Sequence, residues 1–136
     1  LPRADRAPMR RPDRAALAAA SATAAAVAAG AQVGRSELAA AVRATLGQLE
    51  VIFPGKLVEV RVPPFAAVQV GVPGQASAHT RGTPPNVVET DPATWLALAS
   101  GRLTWPDAVA AHRVSASGAH ADIGGHLGAL VADLAG

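Results

Sequence analysis

At Pro54-Gly55 the spacing of apolar residues changes from that of a helix to that of a strand. A chain built from one kind of element cannot satisfy both sides of that point. Ahead of it, Leu38, Val42, Leu46, Leu49 and Phe53 recur at steps of four, four, three and four. Those steps share one helical face, so a helix is predicted over 36–51, with Ser36 as its cap and Glu37 as a first-turn carboxylate. Behind it, Val58, Val60 and Val62 alternate with Glu59 and Arg61, the pattern of a strand with one wet face.

The remaining elements follow from punctuation. Asp13 caps an alanine-rich helix predicted over 13–29 and ended by Gly30. Pro63-Pro64 interrupts the first strand, since proline cannot donate to a ladder. Ala66, Val68 and Val70 then share one side of a second strand, and Phe65, Ala67 and Gln69 the other. After the Pro73-Gly74 turn a short third strand is expected at 75–79. Residues 81–86 are irregular by composition, and Val87-Val88-Glu89-Thr90 is the next strand. Asp91-Pro92 opens a helix closed by Gly101, with Pro92 at the first position, where its missing N–H costs nothing. A second short helix starts near Trp105, strand character returns between 112 and 121, and a last helix runs over 122–134. Gly124, Gly125 and Gly128 weaken that helix by about 1 kcal/mol each relative to alanine, so it needs tertiary support or it moves. The order is neither strict βαβ alternation nor a bundle, and it predicts an α+β fold.

Composition narrows the function. The chain has 136 residues, one domain's worth. It has no cysteine, which removes disulfides, thiolate metal sites and thiol nucleophiles. That usage fits a reducing cytoplasm, the expected location. Residues 1–14 hold five arginines against Asp5 and Asp13, a net of +3, while the rest of the chain nets −1. The basic excess belongs to a leader expected to be disordered, ahead of a single domain over 15–136 with N-terminal helices at 15–53 and an α+β body at 57–136. Residues 1–8 lie ahead of Met9, the single methionine, which is a candidate for the natural start. Two Phe, two Trp and no Tyr leave no stacking platform, so no nucleic-acid partner is expected. Arg10-Arg11 ahead of the alanine run superficially matches a twin-arginine leader, but Pro12 and Asp13 follow at once. One Leu and one Val in the run make a poor membrane segment, so no stable insertion is expected.

Catalytic patterns are thin. His79, His112, His120 and His126 include no HExxH pair, and His120, Asp122 and His126 straddle a strand–helix junction. Ser115 and Ser117 lie on a predicted strand, outside any GxSxG elbow. Gly124-Gly125-His126-Leu127-Gly128 lacks both the full GxGxxG pattern and a P-loop lysine. Glu89 and Asp91 stand two apart, and Asp91 is explained as a cap. No catalytic residue, metal ligand or cofactor is assigned, and the chain is expected not to be an enzyme.

From Val58 onward the chain resembles the bacterial branch of the sterol carrier protein superfamily. The resemblance is carried by Val58-Glu59-Val60-Arg61-Val62-Pro63-Pro64-Phe65, by His79-Thr80-Arg81-Gly82-Thr83-Pro84-Pro85-Asn86-Val87-Val88-Glu89-Thr90-Asp91-Pro92, by Trp95-Leu96-Ala97-Leu98-Ala99-Ser100-Gly101-Arg102-Leu103 with Trp105, and by Arg113-Val114-Ser115-Ala116-Ser117-Gly118. It implies a five-stranded, mostly antiparallel sheet with helices packed on one face. It also implies a hydrophobic cavity between sheet and helices that takes a fatty acyl chain, an acyl-CoA or a sterol-like lipid. By position the ligand-binding residues would be Phe65, Val68, Val70, Trp95, Leu98, Leu103, Val109, Ile123, Leu127 and Leu130. The glycine-weakened last helix would be the gate. The competing expectation is a protein interaction or homodimerisation module, or an accessory domain to an enzyme encoded elsewhere, with no open cavity.

Overall fold

The computed structural model describes residues 11–76 and 85–136. Most of the basic leader, the end of the expected third strand with His79, and the 81–84 block lie outside the described residues. The element order is α1 (Arg14–Ala28), α2 (Arg35–Ile52), β1 (Val58–Val62), β2 (Ala66–Val70), β3 (Asn86–Thr90), α3 (Pro92–Ala99), α4 (Trp105–Ala110), β4 (Val114–Ser117) and α5 (Gly124–Ala135). Among the described residues no helix is long and apolar enough to cross a membrane.

The strands form one sheet in the order β2-β1-β3-β4. The sheet of the described residues therefore has four strands, where five were expected. Gln75 and Ala76, the described start of the expected third strand, pair with nothing in the sheet. Two of its three pairings, β1 with β2 and β3 with β4, are antiparallel, and β1 with β3 is parallel, so the mostly antiparallel character holds.

Register sorts the two faces. Val60 stands opposite both Val68 and Val88, and Val58 stands opposite Val70 and Asn86. These side chains are buried and form the floor of the core. The other face carries Glu59, Arg61, Ala67, Gln69, half-buried Val87, Glu89, Ser115 and Ser117, with Arg61 and Glu89 paired at 3.7 Å. A pleat of period two thus gives one apolar and one wet face. Helix α2 lies across β2, and α3 and α5 pack against α2. Its buried Val42, Leu46 and Leu49 carry the stripe predicted from spacing. Helix α1 packs along α2 and touches α3 and α5, making an outer layer.

Caps explain the element ends. Asp13 accepts the N–H of Ala16, and Asp91 accepts both the N–H and the hydroxyl of Thr94, each at 2.8 Å. Helix α2 begins one residue before Ser36: Gly34 is its cap, and Glu37 reaches back to the Gly34 N–H at 3.3 Å. Asn86, 2% exposed, is the fastener of the sheet. Its amide donates to the Leu57 carbonyl at 2.9 Å and its oxygen accepts the His120 N–H at 2.8 Å. Gly118, at φ +115, lets the chain pass against Asn86 where a Cβ would collide.

Candidate functional site

Four helices converge on a seam above the core. Ala20, Ser21 and Ala24 enter it from α1, Thr45 from α2, Leu96, Ala99 and Ser100 from α3 and its cap, and Leu134 from α5. The walls are almost entirely methyl, methylene and hydroxyl groups. Small side chains on α1 let it lie close to its neighbours, and they leave a void of about 10 Å³ where no side chain is long enough to fill the gap. That is room for about one water, since a water needs at least 10–15 Å³ measured this way. A lipid chain needs a pocket of roughly 300–1,000 Å³.

A polar fastener runs below the seam. The Trp95 indole N–H donates to Thr45 Oγ1 at 2.7 Å, and the Thr45 hydroxyl in turn donates to the carbonyl of Ala41 at 2.8 Å. Thr94, fully buried, accepts from the Arg113 guanidinium at 2.9 Å, while Thr90 bonds the Arg113 carbonyl. Every buried side-chain nitrogen and oxygen among the described residues has a partner. The buried polar groups of the described helix layer are chemically satisfied.

The last helix is tied at both ends. At its start, His126 Nε2 lies 2.8 Å from the Gly71 carbonyl, and because a carbonyl only accepts, Nε2 carries the proton. The same ring stacks obliquely on Phe53, 4.4 Å between centroids. Near its end, Asp133 accepts from the buried Gln48 amide at 2.9 Å and faces Arg14 at 3.6 Å. The glycines that suggested a gate weaken α5, yet the helix is held to β2's exit and to α2.

The residues predicted to line a cavity divide into three groups. Val68, Val70, Trp95, Leu98, Ile123, Leu127 and Leu130 are buried and fill the core. Phe65 and Leu103 are half-buried against it, and Arg35 lies over the Phe65 ring at 5.2 Å. Val109 is 45% exposed and turns away from the core on the short α4. None of the ten lines the seam, whose residues come instead from the alanine stripe of α1 and its neighbours. The stripe is visible in the sequence as Leu17, Ala20, Ala24 and Val27, at helical steps of three and four, but alanine carries little weight in a hydrophobic pattern.

The chemistry-bearing side chains stay apart. His112 is exposed at φ 57, His120 is half-buried beside Asn86, and His126 is committed to Gly71. Ser115 and Ser117 stand exposed on β4. Among the described residues no group of three or more His, Asp or Glu could hold a metal ion.

No curated protein matches the chain. A family model described as bacterial SCP ortholog matches residues 34–129, from the cap of α2 to the middle of α5. The chain belongs to the family of bacterial sterol carrier protein orthologues.

Proposed function

We propose that the protein binds an apolar ligand, a fatty acyl chain or a similar lipid, within its helix layer, and acts as a carrier rather than a catalyst. The observation that carries this reading is the seam itself. Four helices meet there with small apolar walls and an unfilled centre, directly above a core that includes Trp95 and Leu96. Membership in a sterol carrier family supports the same class of ligand. A void this small means that binding requires a helix to move, and the ligand then replaces side-chain contacts with its own.

A second reading, an interaction or dimerisation module, is favoured by how completely the core is filled. Native mass spectrometry of protein purified without detergent separates the two. A stoichiometric adduct, retained from the host or acquired on incubation with palmitate, supports the carrier. A clean mass after incubation with palmitate, palmitoyl-CoA and cholesterol, together with a concentration-dependent dimer, supports the module.

A further inference from the structure

We infer that α1 is a displaceable lid, and that the ligand site is the trough beneath it, bounded by α2, α3 and α5. This rests on the apolar-ligand reading above and specifies where the ligand sits and what uncovers it.

Two helices could move, and they are held unequally. Helix α5 has a buried-side fastener at each end, His126 to Gly71 and Asp133 to Gln48. Helix α1 has one polar tie to the rest of the protein among the described residues, Arg14 to Asp133 at 3.6 Å, with the Arg14 side chain 66% exposed. An exposed pair of that length holds little. Helix α1 packs along the length of α2, but the side chains it buries are Leu17, Ala20 and Ala24, so its apolar contact is made mostly by alanine methyls. It is joined to α2 through Gly30 at φ +78, a position with open space around it, followed by residues 31–34 outside any regular element. The matched family pattern begins at residue 34, so α1 is a part of this chain that the pattern does not include.

Lifting α1 leaves the fasteners of the body untouched. Trp95 to Thr45, Asn86 to Leu57 and His126 to Gly71 all lie among the remaining elements. The groove that α1 occupies is as long as the helix, about 22 Å from 15 residues at 1.5 Å each, and Thr45, Leu96, Ala99 and Leu134 lie beneath its middle turns, opposite Ala20, Ser21 and Ala24. A trough that long and one helix wide suits a linear acyl chain better than a rigid polycyclic one. In the closed state α1 occupies the trough, so apparent affinity is the intrinsic affinity scaled by the open fraction.

The chain has no cysteine, so a pair can be placed without interference. Ser21 and Ser100 both line the seam, one on α1 and one at the end of α3. Ser21→Cys with Ser100→Cys, oxidised, staples the lid shut. The probe is dansyl-labelled undecanoic acid, read by fluorescence with the reduced pair and the wild-type chain alongside. The reduced pair is the reference, since both positions line the seam, and oxidised protein is expected to bind about tenfold or more weaker than it, with recovery on reduction. Equal binding by both states overturns the lid and leaves the apolar-ligand reading standing. No binding by the wild-type chain overturns both. Hydrogen exchange on the unmodified chain gives an independent reading: α1 amides should exchange well ahead of those in α2, and faster still with the probe bound. Protection of α1 equal to that of α2 overturns the proposal even if the cysteine pair fails to fold or to cross-link.

Discussion

The Trp95 indole N–H donates to the Thr45 hydroxyl oxygen at 2.7 Å, fifty residues away in sequence, and both groups are buried. The bond fixes α3 on α2 at the depth where the seam begins. Thr45→Val keeps the shape and removes the acceptor, leaving the indole N–H unpaired. The expected cost is about 1–3 kcal/mol in stability, measured as a fall in urea midpoint. In a Trp95→Phe background the same substitution should cost clearly less, because no donor is left stranded. Equal costs in the two backgrounds would show that the hydrogen bond contributes nothing.

How much of this was legible in the chain depends on how local each signal is. The α2 stripe and the Asp91 cap were readable because their partners lie within four residues. Serine is a strong capping residue and points to Ser36, yet the helix starts at Arg35 and Gly34 precedes it, with Glu37 supplying the return bond. Family position points Val109 at a cavity wall, but α4 has only six residues, under two turns, too few for spacing to identify a face. The strand expected at 75–79 from composition, which agreed with the five implied by family likeness, is not part of the described sheet: Gln75 and Ala76 join no ladder, and 77–79 lie outside the described residues. The seam was missed because its walls are alanine and serine, and contact between α1 and α3 is a property of the fold.

Asn86 is the sharpest non-local case. It sits in a Pro-Pro-Asn stretch that reads as loop, yet it bonds residues 29 and 34 positions away. Asn86→Ala strands the His120 N–H and the Leu57 carbonyl, and each buried unpaired group costs about 1–3 kcal/mol. The variant should lose stability by roughly 2–5 kcal/mol, with partial solvation offsetting some of the loss. Thermal unfolding followed by far-UV circular dichroism reads it. A midpoint within error of wild type would remove Asn86 from the list of residues that hold the sheet.

The ten predicted lining residues can be sorted by energetics. Leu130 is fully buried and Val109 is 45% exposed. Leu130→Ala should cost about 2–5 kcal/mol through lost transfer energy and the cavity left behind. Val109→Asp should stay within about 0.5 kcal/mol of wild type, as surface changes do. Urea titration of both variants settles the assignment. A large loss from Val109→Asp would mean that this face is covered in solution, the outcome expected of an interaction module.

Two kinds of glycine in one chain give the last prediction. Gly125 and Gly128 lie exposed on α5, and a Cβ at either position meets nothing within 4 Å. Neither glycine is needed for close approach, so alanine should stabilise by reducing the freedom of the unfolded chain. The gain should approach about 1 kcal/mol at Gly128, in the body of the helix, and be smaller at Gly125 in the first turn. Gly71 is the opposite case. Its N–H donates to the Phe53 carbonyl at 2.8 Å, its own carbonyl receives His126, and an added Cβ would collide with the Pro54 carbonyl oxygen. Gly71→Ala should therefore destabilise by about 1–3 kcal/mol through forced backbone movement, and it should loosen the start of α5. Hydrogen exchange at 124–130 would rise in Gly71→Ala and fall in Gly128→Ala. With α1 as the lid, acyl-probe binding should be unchanged by Gly128→Ala. Weaker binding on stiffening α5 would instead return the gate to the last helix.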